Sequence, residues 1–155
     1  MRVREVKGEP TGGKKIGVVV ARFNGAITDA LLAGALEALE EAGTAEVTVI
    51  TVPGALELAV AAKHLIETGH EAVVAVAAVI RGETDHYEHV ATQSMMGLSQ
   101  LALATGVPIG NAVLTVHEYE HARDRSLPGR GNKGYEAAMA VLELLDSLVQ
   151  ILDQD

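Results

Sequence analysis

The chain contains no cysteine. That excludes a disulfide framework, a thiolate nucleophile and any zinc site built on sulfur. It has no tryptophan and one phenylalanine, and aromatics make up 3% of its residues. The core must therefore be assembled from Ala, Val, Leu and Ile. RNA-binding folds that stack bases on aromatic platforms are disfavoured. Positive charge is also scarce: 12 Lys and Arg stand against 21 Asp and Glu, a net charge of −9. A broad nucleic-acid or anionic-membrane surface is not expected. Any anionic ligand needs a local cluster of cations or backbone N–H groups set against that field. The longest apolar run, residues 72–80, is too short to cross a bilayer. Residues 1–10 lack the apolar stretch of a secretory signal. The expectation is a soluble cytoplasmic protein. Its 155 residues suit one domain, residues 1–155, that folds without a covalent or metal staple.

What is present alternates. Short β-branched runs at 16–21, 47–52, 72–80 and 111–115 read as strands. Between and after them lie Ala/Leu-rich patterns of helical period. Leu31, Leu32, Ala35, Leu36 and Leu39 mark the first helix, with Thr28 as its expected N-cap and Gly43 as its stop. Further helices are expected at 54–69, 86–105, 118–125 and 132–152. The run at 72–80 is apolar without alternation, which suits a strand covered on both faces. The order βαβαβαβα predicts a three-layer α/β/α sandwich around a four-stranded parallel sheet, flavodoxin-like in kind. Residues 1–14 form a polar arm in which Val3 and Val6 fall in an alternating stretch. The arm reads either as frayed or as an edge strand pairing with a neighbouring subunit. The last helix is apolar around most of its circumference, so it must bury more than one face.

Open parallel sheets bind ligands beyond the carboxyl ends of their strands. Phe23 follows the first strand, Pro53-Gly54-Ala55-Leu56-Glu57 the second, and Gly82-Glu83-Thr84-Asp85-His86 the third. Phe23 can stack on a planar ligand or simply plug the sheet edge. The turn at 82–84, opening a helix, offers N–H donors and a hydroxyl to a phosphate. Asp85 with Glu88 can instead form a structural capping box. His86 is placed to move protons near neutral pH. Arg125 and Lys133 bracket a Gly-containing loop and are candidate anion partners. His117-Glu118-Tyr119-Glu120-His121 matches H-E-x-x-H, with Glu136 or Glu143 as a conceivable third zinc ligand. The pattern is short and arises by chance often, as does the His86–His89 pair.

Taken together, ARFN at 21–24, LLAGALEAL at 31–39, VPGALEL at 52–58, VIRGETDHYEHV at 79–90, VLT at 113–115 and RGNKGYEAA at 130–138 carry a resemblance. The chain resembles the 6,7-dimethyl-8-ribityllumazine synthase family across residues 15–144. The resemblance implies an enzyme condensing 5-amino-6-(D-ribitylamino)uracil with 3,4-dihydroxy-2-butanone 4-phosphate, with loss of phosphate and water. It implies no cofactor and no metal. Phe23 would stack on the pyrimidine. Ala55, Leu56 and Glu57 would hold ribityl chain and ring, and Ala78, Val79 and Ile80 would line the ring's edge. Glu83 and Thr84 would bind the phosphate and His86 would transfer protons. Arg125 would pair with the phosphate, and Lys133 and Glu136 would form a further charged pair. Asn111 stands where the family often has an aromatic ring. Residues from Asn111 onward would come from a neighbouring subunit, so the site requires a homo-oligomer: a pentamer, paired pentamers or an icosahedral shell. The short loop at 126–132 favours the shell, which can enclose riboflavin synthase. A common T-T-E-x-x-E-Q pattern is replaced here by residues 115–121, so the H-E-x-x-H match looks accidental. The alternatives are a non-catalytic flavin- or lumazine-binding shell protein of the same fold and a zinc hydrolase.

Overall fold

The computed structural model describes residues 1–153. In chain order the elements are β1 (Lys15–Ala21), α1 (Gly25–Glu41), β2 (Glu46–Val52), a 3-10 turn (Ala55–Glu57), α2 (Leu58–Glu67), β3 (Ala72–Ile80), α3 (His86–Thr105), β4 (Ile109–Val116), α4 (Tyr119–Arg125) and α5 (Lys133–Leu152). The four strands form one parallel sheet in the order β2-β1-β3-β4. This is the expected three-layer, flavodoxin-like sandwich.

Side-chain parity along the strands builds the two cores. Ile16, Val18 and Val20 of β1 and Ala72, Val74, Val76 and Ala78 of β3 face α1 and α5, where Leu31, Leu39 and Leu142 are fully buried. Val19 and Ala21, with Val73, Ala75, Ala77 and Val79, face α2 and α3. Both parities are apolar because both faces are covered, which is why β3 shows no alternation. Leaving β1 the chain moves to one side and lays α1 on one face. Leaving β2 and β3 it moves the other way and lays α2 and α3 on the opposite face. A constant crossover hand requires that arrangement. No helix among the described residues is long and apolar enough to cross a membrane.

Three local expectations are corrected. Thr28 does not cap α1; it lies buried inside the helix, and the cap is Asn24, in the left-handed region at φ 60°. The expected helix at 54–69 begins as the 3-10 turn before α2. Asp85 precedes α3 without a side-chain capping bond, so the capping box with Glu88 is not formed.

The arm forms no strand within the chain. It runs back along α5. The Arg4 guanidinium donates to the carbonyls of Gln150 and Asp153, the Glu9 N–H to Asp146 Oδ2 (2.9 Å), and Gln150 Nε2 to the Lys7 carbonyl (3.1 Å). A cation on the last carbonyls of a helix is favoured by the helix dipole.

Candidate active site

The β1–β3 ladder ends at Val20↔Val76, while β3 runs on beside β4 to Ile80↔Val116. Here the chain departs from β1 and from β3 in opposite directions, so a crevice opens between their carboxyl ends. Switch points of this kind are where open α/β sheets bind ligands. Asn24 bridges the gap. Its Nδ2 donates to the Ala78 carbonyl at 2.7 Å, supplying the partner that β1 no longer offers. Asn is among the few side-chain-bearing residues that adopt φ near +60° at low cost. Phe23, next to it, is 72% exposed yet held by its backbone. Arg22 N–H donates to the Val52 carbonyl (2.7 Å) and Phe23 N–H to the Pro53 carbonyl (3.2 Å).

The crevice holds a cavity of about 490 Å³. Phe23 stands at one side and the Pro53–Glu57 segment at another. Ala77 to Ile80 form the floor, and Gly82, Thr84, His86, Tyr87 and Val90 close the third side. The lining is mostly apolar, with the Glu57 carboxylate, Thr84 hydroxyl, His86 imidazole and Tyr87 phenol as its polar side chains. An apolar slot with a few convergent polar groups is the usual form of a small-molecule site. No lysine or arginine lines it among the described residues.

A profile of the 6,7-dimethyl-8-ribityllumazine synthase family matches residues 13–148. The chain belongs to that family. It is 50% identical over 144 residues to the 6,7-dimethyl-8-ribityllumazine synthase of Azorhizobium caulinodans, covering 89% of this chain and 88% of the relative. To the synthase of that name from Thermococcus kodakarensis it is 42% identical over 157 residues, covering the whole of both. To the one from Kineococcus radiotolerans it is 49% identical over 138 residues, covering 88% of this chain and 86% of the relative.

Of the residues that resemblance to lumazine synthases singled out, Phe23, Ala55, Leu56, Glu57, Ala78, Val79, Ile80, Thr84 and His86 line the cavity. Glu83 does not; it is exposed on the same loop. The Thr84 hydroxyl accepts a long 3.4 Å bond from the His86 N–H. Four residues lie elsewhere in the chain. Asn111, on β4, receives the Val113 N–H at Oδ1 (2.9 Å) and places Nδ2 3.3 Å from Met95 Sδ. Arg125 is exposed at the end of α4, its Nη1 donating to the His121 carbonyl at 3.1 Å. Lys133 and Glu136 pair with each other at 2.8 Å in the first turn of α5.

The lumazine synthase motif RGNKG has a local structural account. Asn132, 2% exposed, caps α5. Its Oδ1 accepts from Gly134 N–H (2.8 Å) and Tyr135 N–H (3.1 Å), while Nδ2 donates to the carbonyls of Ala30 (3.1 Å) and Ser126 (3.0 Å). Gly34 and Gly134 leave it room: a Cβ at Gly34 would collide with the Asn132 amide, and one at Gly134 with the Leu31 carbonyl.

Tyr87 and Val90 went unremarked as cavity residues in the sequence. The signal was there for Val90, which falls four residues beyond His86 and three beyond Tyr87, helical spacings that share a face. The H-E-x-x-H pair is not built as a helical i, i+4 ligand pair, since α4 begins only at Tyr119 and His117 precedes it. No group of three His, Asp or Glu side chains suited to a metal occurs among the described residues.

Proposed function

We propose that the chain catalyses the lumazine synthase condensation. It joins 5-amino-6-(D-ribitylamino)uracil to 3,4-dihydroxy-2-butanone 4-phosphate, releases phosphate and water, and works at a site shared between subunits. The observation that carries this reading is the cavity at the β1–β3 switch point, lined by Phe23, the 53–57 segment, Thr84 and His86, in a chain of this family. The substrate's own amine is the nucleophile, so the protein need supply no activated Ser, Cys or Lys. Its task is orientation, proton transfer and phosphate binding. Phe23 stacks on the pyrimidine. The backbone of Ala55 and Leu56 and the Glu57 carboxylate hold the ribityl chain, and Ala78, Val79 and Ile80 pack on the ring edge. The Thr84 hydroxyl and the N–H groups of the 82–84 turn, that of Glu83 among them, receive the phosphate, and His86 moves protons.

The cavity's lack of a cation favours a shared site. A phosphate dianion on the 82–84 turn, near the exposed Glu83 and Asp85, calls for positive charge beyond that of Arg81 on the same loop, and Arg125 of a neighbouring copy provides it. Asn111, Lys133 and Glu136 of that copy complete the wall. In this reading the arm adds a strand to a neighbour's sheet and the assembly is built of pentamers. The loop at 126–132 carries no insertion, which favours an icosahedral shell, with riboflavin synthase as a candidate guest, in the cytoplasm.

Incubating both substrates and following product absorbance tests the reading, with steady turnover expected. No product from folded protein would instead support a flavin- or lumazine-binding shell protein. Arg125→Ala should leave the fold intact and weaken use of the butanone phosphate by the equivalent of about 2–4 kcal/mol. Unchanged kinetics for that substrate would remove Arg125 from the site.

A further inference from the structure

The H-E-x-x-H segment has no part in the function proposed above, yet its first histidine lies against the cavity wall. The ring of His117 meets that of Tyr87 edge to face, with centroids 6.0 Å apart and planes at 76°. Aromatic pairs attract in that arrangement and distance range. Tyr87 lines the cavity beside His86.

The start of α3 needs such a brace. The buried residues of this 20-residue helix are Ser94 and Leu98. Its first two turns, which carry His86, bury none. The preceding loop, 81–85, is exposed throughout, and Asp85 gives no side-chain cap. What holds these turns to the body of the protein is the half-buried trio Tyr87, Val90 and Ala91, packed against the core between sheet and α2. Tyr87 is nearest to His86, and the exposed ring of His117 meets it edge-on from outside the helix. His117 itself has a firm base. It is the first residue past β4, where Ile80 pairs with Val116 and the Arg81 N–H donates to the Val116 carbonyl at 2.9 Å. The paired ends of β3 and β4 thus fix one end of the 81–85 loop, and the His117–Tyr87 contact fixes the other.

We propose that His117 is a positioning residue of the active site: through Tyr87 it holds the first turn of α3, and with it the His86 imidazole, in the pose that serves proton transfer. This role rests on the condensation proposed above. It assigns a use to a histidine that first reads as a zinc ligand, and the use is packing of an aromatic ring.

The chain has three tyrosines and no tryptophan, so its near-ultraviolet circular dichroism reports chiefly on tyrosine. His117→Ala should lose the same part of that signal as Tyr87→Leu, and His117→Phe, which keeps an aromatic edge, should retain it. In steady-state kinetics His117→Ala should lower kcat by about 10-fold or less with both KM values nearly unchanged, since binding groups stay while alignment is lost. His117→Phe should recover most of the loss. In a His86→Ala background, His117→Ala should cost nothing further, because there is no imidazole left to align. Wild-type kcat in His117→Ala would overturn the role. So would an equal loss with and without His86, or a failure of His117→Phe to rescue. A wild-type protein that makes no product would overturn the condensation and this role with it. An active wild type with an unaffected His117→Ala would overturn this role alone.

Discussion

Asn132, buried, and Asn24, half-buried, are two amides that tie separate elements together. Asn132 joins α1, the 126–132 loop and α5 through four hydrogen bonds. Asn132→Ala removes a helix cap and takes a donor from the Ala30 and Ser126 carbonyls, so it should destabilise by about 2–4 kcal/mol. Denaturant unfolding measures this, and a loss below about 1 kcal/mol would contradict the account. Asn24 combines a left-handed backbone with a side-chain bond to Ala78. Asn24→Gly keeps the backbone and loses the bond, whereas Asn24→Ala loses both. Stability should fall in the order Asn, Gly, Ala, by about 1 kcal/mol at each step, and an Ala variant equal to Gly would refute the backbone argument. His86→Ala should slow turnover by about 10²-fold or less, because orientation of the substrates survives. A rate unchanged across pH would remove His86 from proton transfer. These roles were unequally visible beforehand. Phe23 and His86 stood out by following strand ends. Asn24 did not, because its partner lies 54 positions away and nothing local marks a left-handed cap; Thr28, a good cap by type, was favoured and proved to be interior.

At the scale of elements, the strands were legible because short runs rich in Val and Ile, each separated from the next by a pattern of helical period, have few other readings. Their ends moved by two residues or fewer, as at β4, where Ile109–Val116 replaces 111–115. The arm was not legible. Alternation of Val3 and Val6 suggests a strand, but a strand needs a partner edge, and within one chain the arm finds α5 instead. A second tie joins α5 to α1: the Tyr135 hydroxyl donates to Glu41 Oε2 at 2.7 Å. That hydrogen bond, followed by burial, holds the phenol's pKa above its ordinary 10.0. The folded chain therefore keeps this proton to higher pH than the unfolded chain. Its contribution to stability is full below about pH 10 and is lost as pH rises through the raised folded value. Unfolding midpoints measured on either side of pH 10 should show a steeper alkaline decline for wild type than for Tyr135→Phe. Parallel declines would show that the tie does not couple to folding.

For the whole molecule, the division of residues is the main result. One chain gathers Phe23, the 53–57 segment, Thr84 and His86 at the switch point and leaves Arg125, Lys133, Glu136 and Asn111 outside it. The fold was readable because periodicity and strand order are properties of a single chain. The proposed completion of the site by a neighbouring copy was not readable from periodicity, because periodicity says nothing of which surfaces meet; the resemblance pointed to it. The exposed apolar side chains of α5, Leu144, Val149, Ile151 and Leu152, and of the β2 edge, Val49 and Ile50, are what a chain destined for assembly would present. Subunit mixing tests the central claim most directly. His86→Ala and Arg125→Ala proteins, each impaired alone, are unfolded together and reassembled in equal amounts. If one protomer supplies His86 and its neighbour Arg125, about a quarter of the sites in a ring with head-to-tail contacts receive both intact groups. Activity should then rise to about a quarter of wild type, well above the mean of the two parents. Activity no higher than that mean would show that the two residues do not meet across a subunit boundary.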